Sequence, residues 1–159
     1  MSQHLEIIRE ATLKLRHTQL ALFTALASKS TVIPPTWRNH LHWHLGHLIL
    51  TPRLLTYGLL KEDLGVPASY RPLFAKDSTP LNWKPEDQIP SYEQLLEDFI
   101  PTTEALFAAM ETRAFEPYAA TYTTTPGVVL ENPLQALNFS QFHDGIHLGL
   151  TIALRRALG

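Results

Sequence analysis

The segment from Asn132 to Leu158 constrains this chain most, because it repeats apolar residues at helical spacing and sets two histidines inside the repeat. His143 and His147 stand four residues apart, so a helix places one above the other on the same face. At about 100° per residue, that face also carries Ala136, Phe139, Ser140, Ile146, Leu150, Leu154 and Ala157. An otherwise apolar stripe of this kind points into a core. Buried imidazoles without hydrogen bonds are costly. A divalent metal is one partner that offsets the cost, and His-x-x-x-His lets one helix offer two nitrogens to a single ion. Core histidines bonded to carbonyls or water are the alternative, and spacing alone leaves both open.

The rest of the chain supplies three more amphipathic segments. Ser2 to about Ser28 repeats Leu5, Ile8, Leu15, Leu22 and Leu26, with Glu6, Arg9, Lys14 and Arg16 placed among them. Ser2 is positioned to cap this helix, and His17 reads as a half-buried histidine at the edge of its apolar face. Ser28-Lys29-Ser30 and Pro34-Pro35 then break the pattern. A second helix is expected from a Thr36 cap to about Lys61, kinked at Pro52. On it His40, His44 and His47 share a face with Trp43, Leu50, Leu54 and Leu55, while His42 points to solvent. His40 and His44 also have the spacing of a metal pair, whereas His47 lies nearest the middle of the apolar surface. Chemistry alone does not choose between them.

Glu62 to Pro90 is a long connection with room for a short helical turn, and Tyr70, Phe74 and Trp83 could pin it to the bundle. A third helix starts at Ser91, with Gln94 in the capping-box position. It turns Leu95, Phe99, Leu106 and Met110 inward and is bent by Pro101. Arg113 to Glu131 reads as an extended loop with a small hairpin, and Asn132-Pro133 restarts helix. Four long amphipathic segments without a convincing strand pair predict an all-α four-helix bundle, residues 1–159 forming one domain.

Composition narrows the partners. Net charge is -2 and cysteine is absent. No nucleic acid or anionic membrane surface is therefore expected to attract the chain, and disulfides and thiolate metal sites are excluded. The N-terminus lacks the pattern of a signal peptide and no apolar run approaches a membrane span, so a cytoplasmic protein is expected. The last helix has a second apolar face, Leu134, Leu137, Leu148 and Ile152, beside Gly145 and Gly149. One helix of a small bundle cannot bury two faces alone, which leads to the expectation of a homodimer through this helix.

Two motifs carry a resemblance. Trp43-His44-Leu45-Gly46-His47 resembles the second-helix motif of the DinB/YfiT-like superfamily, a tryptophan followed by Leu-Gly-His. The segment from Asn138 to Gly149 resembles its last-helix motif, in which an acidic residue often follows the first histidine. The order of the motifs, the long loop between them and the Thr123-Thr124-Thr125-Pro126-Gly127 approach match too, so the resemblance covers nearly the whole chain. It implies a bundle holding one divalent metal ion, zinc or nickel, through His47, His143 and His147. His44 and His40 then stand behind the ligands or line a pocket, as do Trp43 and Asp144. Related bundles include metal-dependent thiol S-transferases that use low-molecular-weight thiols such as bacillithiol, and others look like hydrolases. The resemblance thus implies a thiol or water attacking a small electrophile. The alternative is a non-catalytic dimer with a structural metal, acting as a binding or stress-response module.

Three neutral imidazoles leave a tetrahedral ion one position short. With no carboxylate to neutralise it, the ion's charge acts on whatever fills that position, lowering a water's pKa towards ~7 or holding a thiol as thiolate. Asp144 points about 100° away from His143. It is therefore expected to pair at the surface or orient a ligand indirectly, not to act as a general base.

Overall fold

Side-chain caps start every long helix of the computed structural model, which describes residues 2–159. The chain runs α1 (Gln3–Ala25), α2 (Leu41–Arg53), α3 (Tyr70–Phe74), α4 (Tyr92–Ala109), the two-residue strands β1 (Tyr122–Thr123) and β2 (Val129–Leu130), and α5 (Pro133–Leu158). Ser2 Oγ accepts from the Leu5 N–H at 3.2 Å, Ser91 Oγ from Gln94 at 3.0 Å and Asn132 Oδ1 from Gln135 at 3.1 Å. Each satisfies an amide that a helix start would otherwise leave unpaired. The fold is all-α, with β1 and β2 pairing as a small antiparallel hairpin ahead of α5.

The second helix departs from expectation at both ends. Thr36 follows two prolines and has φ +72°, so it belongs to a turn and not to a helix start. The cap is His40, whose Nδ1 accepts from the Trp43 N–H at 3.1 Å. Pro52 ends the regular pattern: the chain passes into a π-helical turn over Leu54–Gly58. Proline has no N–H to offer the carbonyl four residues back. That carbonyl, of Leu48, is taken instead by Arg16 Nη2 at 2.8 Å.

The face that α1 buries is also different from the leucine repeat. Leu5, Thr12, Arg16, Gln19 and Phe23 are buried, Leu15 and Leu22 are half-buried, and His17 is exposed. Arg16, expected among solvent charges, is the centre of the bundle. It donates to Asp144 on α5 at 2.8 Å, to Thr103 Oγ1 on α4 at 2.7 Å and to Leu48 on α2, with its guanidinium over the Phe99 ring. One side chain thus ties α1 to the other three long helices.

The main apolar core lies where α2 meets its neighbours. Leu41, Leu45, Leu48 and Leu50 pack with Phe23, Leu95, Phe99 and Leu154. The long connection is pinned as its aromatics suggest, Tyr70 and Phe74 being buried and Trp83 packing against the same cluster. Gly46 makes this possible: a Cβ there would come within 2.5 Å of the Phe74 ring. His42 is not solvated. It is buried, with Nε2 donating to the Pro90 carbonyl at 2.9 Å and its ring meeting Trp83 and Tyr92 edge-on.

A second cluster joins Leu5, Leu106, Met110 and Leu137, with Leu134 beside them. Leu137 and Leu134 are therefore used within the chain, not on an open face. The exposed large apolar residues of α5 are Phe142 and Ile146. Among the described residues, no helix is long and apolar enough to cross a membrane.

Candidate metal centre

The buried stripe of α5 is Pro133, Ala136, Leu137, Ser140, Asp144, His147, Thr151 and Leu154. It is rotated towards Asp144 from the stripe that the histidine spacing suggests. His147 is therefore buried, His143 lies at the stripe's edge, and Ile146 and Ala157 face out. Across from them, His47 occupies the middle of α2. His47, His143 and His147 each present one ring nitrogen, and these atoms lie within 4.8 Å of one another.

The rings are held by partners on their far sides. His47 Nδ1 donates to the Phe74 carbonyl at 2.6 Å, which fixes its proton there and leaves Nε2 as a bare lone pair. Trp43 stacks on the same ring at 4.5 Å, and its Nε1 donates to Ser78 Oγ at 2.8 Å. His147 Nδ1 lies 2.9 Å from His44 Nδ1. When His147 is the donor, its Nε2 lone pair faces the cluster. His44 thus stands behind a candidate ligand. His40 does not: it caps α2 and meets Trp83 and His42 instead.

Asp144 stands behind the third ring, in the core and not at the surface. It is fully buried, and Arg16 grips both its oxygens, at 2.8 and 3.3 Å. Burial pushes its carboxyl up, but the Arg16 charge and hydrogen bonds, with His143 close by, outweigh that and hold it below the usual carboxylate range. His143 Nδ1 is buried without a hydrogen-bond partner and lies 3.9 Å from Asp144 Oδ1. The carboxylate favours a proton on that nitrogen. His143 Nε2 is then a lone pair, aimed at the lone pair of His47 Nε2 only 3.1 Å away. Two lone pairs at that distance repel unless a proton or a metal ion bridges them, and three ring nitrogens converging within 4.8 Å suit a metal ion.

Burial works against protonation of His47, His44 and His147. Burial, with His143 close by, pushes His47 down to about 3. Burial, with His40 and His143, pushes His44 down to about 4, and His147 is lowered for similar reasons. Burial thus favours the neutral form of all three rings.

One side of the cluster opens onto a cavity of about 480 Å³. His47 and His143 form part of its wall, with Thr51, Leu54, Leu55, Phe139 and Phe142, and the hairpin reaches over it through Tyr122 and Thr124. Thr51 Oγ1 lies 3.2 Å from His47 Nε2, at the junction of cluster and cavity.

Sequence reasoning missed Arg16, the Phe74 carbonyl, Thr51 and the cavity. Arg16 had a signal, since Leu5, Thr12, Arg16, Gln19 and Phe23 recur at spacings of three, four and seven. A backbone carbonyl has none.

An all-α bundle with three histidines converging from two helices beside an apolar cavity defines a class of small helical proteins with a site that could hold a metal ion. The chain belongs to the DinB superfamily, whose family model matches residues 5–151. No curated protein matches it.

Proposed function

We propose that His47, His143 and His147 hold one divalent ion, zinc or nickel, and that the protein is a cytoplasmic metal-dependent thiol S-transferase acting on a small electrophile. The observation that carries this reading is the cavity beside the converging ring nitrogens of His47, His143 and His147. Three histidines and no fourth residue make up the cluster among the described residues, as a site with an open position requires. Three imidazoles suit zinc or nickel. When bound, the ion supplies the Lewis acidity that keeps a thiol or water deprotonated near neutral pH.

The chain's own residues do the rest. The Phe74 carbonyl and His44 hold two rings in orientation, and Asp144 lends negative charge behind the third. Thr51 is placed to hydrogen-bond the nucleophile, while Leu54, Leu55, Phe139 and Phe142 exclude water and receive an apolar body. Apart from His47 and His143, no lining residue is an imidazole or carboxylate that could shuttle a proton. That favours a thiol over water, because a thiol ionises near pH ~8.5 and needs less help.

Elemental mass spectrometry on untagged protein tests the site. About one ion per chain is expected in wild type and its loss in His47→Ala and His143→Ala. Loaded protein should then consume a low-molecular-weight thiol in the presence of chlorodinitrobenzene. Wild type that holds no metal after equilibration with zinc or nickel sinks the reading.

A non-catalytic dimer with a structural ion is the second reading. Exposed Phe142 and Ile146 favour it, beside Gly145 and Gly149 where an added Cβ would meet nothing. A second copy related by a twofold axis could cover that ridge. Sedimentation at twice the 18.0 kDa chain mass, reduced to one by Gly149→Arg, supports self-association, and a wild-type monomer rejects it.

A further inference from the structure

The charge lining the cavity is of one sign. Among the described residues that line it, Lys76 is the one Lys or Arg, and none is Asp or Glu. Lys76 follows Phe74 by two residues, so the segment that orients the His47 ring also brings this exposed lysine to the cavity lining. The turn is well anchored. Ser78 Oγ bonds the Ala75 carbonyl at 2.7 Å and accepts from Trp43 Nε1, and Arg38 donates to the Asp77 carbonyl at 2.7 Å. Asp77 itself sits at φ +71°. Glu62 and Glu10, by contrast, are paired with Arg113 and Lys14 elsewhere on the surface.

Much of the lining is apolar, with Leu54, Leu55, Phe139, Phe142 and Ile146. A lining of that kind rewards burial of hydrocarbon. A ligand that fills the space and satisfies Lys76 needs an apolar body and one negative group. The cavity's 480 Å³ lies within the usual range for small organic ligands. We infer that the cavity takes an amphipathic organic carboxylate, with the hydrocarbon against α5 and the carboxylate on Lys76. This names the substrate class of the site proposed above and rests on the reading of its cavity as a ligand site.

Isothermal titration with octanoate, 1-octanol and octylammonium tests it, on wild type, Lys76→Met and Lys76→Glu. Each is measured metal-loaded and again after dialysis against a chelator. Octanoate is expected to bind roughly fivefold tighter than octanol, as a partly shielded ion pair gives. Lys76→Met should remove the difference, and Lys76→Glu should turn the preference towards octylammonium. An octanoate preference that survives Lys76→Met and vanishes with the metal overturns the role of Lys76 but leaves the metal reading standing. Equal binding of octanoate and octanol overturns the anionic class, and no binding by any probe overturns the cavity as a lipophilic site. A Lys76-dependent preference in protein that never holds metal supports the inference while the metal reading fails.

Discussion

Arg16 and Asp144 show how much one buried pair can organise. Removing a guanidinium and a carboxylate from water costs several kcal/mol each, and their attraction repays this only when the remaining donors and lone pairs are satisfied. Here Thr103, Leu48 and the π-face of Phe99 complete the guanidinium. Asp144→Asn leaves the Arg16 charge uncompensated, so urea unfolding should show about 3–5 kcal/mol less stability. The same change removes the charge behind His143 and should weaken zinc binding about tenfold or more. Arg16→Met combined with Asp144→Leu should recover part of the stability but not the zinc affinity. Recovery of both would show that Asp144 acts on the fold alone. Asp144 was legible as a residue but not in its direction. The histidines and leucines around it suggested a stripe that turned it outward, and its partner lay 128 positions away in sequence.

The helices were legible where the chain uses ordinary caps and obscure where it does not. Ser2, Ser91 and Asn132 begin their helices as their side chains dictate. Histidine is not among the favoured capping residues, so the start of α2 at His40 carried no signal and Thr36 attracted the assignment. Gly46 is a clearer case of sequence meaning that needs the structure. It reads as part of a motif, and its physical role is to admit the Phe74 ring against α2. Because Phe74 is fully buried, its ring cannot move aside without moving its backbone. Gly46→Ala should therefore cost about 1–3 kcal/mol by overpacking. It should also loosen the Phe74 carbonyl from His47 and lower zinc affinity, read by competition with a chromogenic chelator. Unchanged stability would mean that the connection around α3 yields more easily than this packing implies.

Across the molecule, four amphipathic stripes and one long connection were enough to reach the bundle. They were not enough to sort the histidines, because what distinguishes His47 from His40 is a carbonyl on a distant turn. The burial of those rings has a consequence for the whole fold. His40 and His44 are pushed down to about 4 and His47 to about 3, burial being the largest cause in each. The unfolded chain takes up protons at these rings near pH ~6.5, while the folded chain does not until the lower values. Between those limits the unfolded state binds more protons, so stability rises with pH. The neutral rings' contribution is therefore fully present above about pH 6.5 and is lost as pH falls towards 4 and 3. Each withheld proton contributes a slope of about 1.4 kcal/mol per pH unit. Asp144, held low by Arg16, acts in the same direction but in a more acid range. Urea midpoints of metal-stripped protein should stay level from pH 8 to about 6.5 and drop steeply below it. Metal loading should raise the plateau and steepen the fall, because an ion needs the same unprotonated nitrogens that burial already favours. A profile flat down to pH 5 would mean that these rings are hydrated in solution and take up protons as the unfolded chain does, so that burial does not hold them neutral.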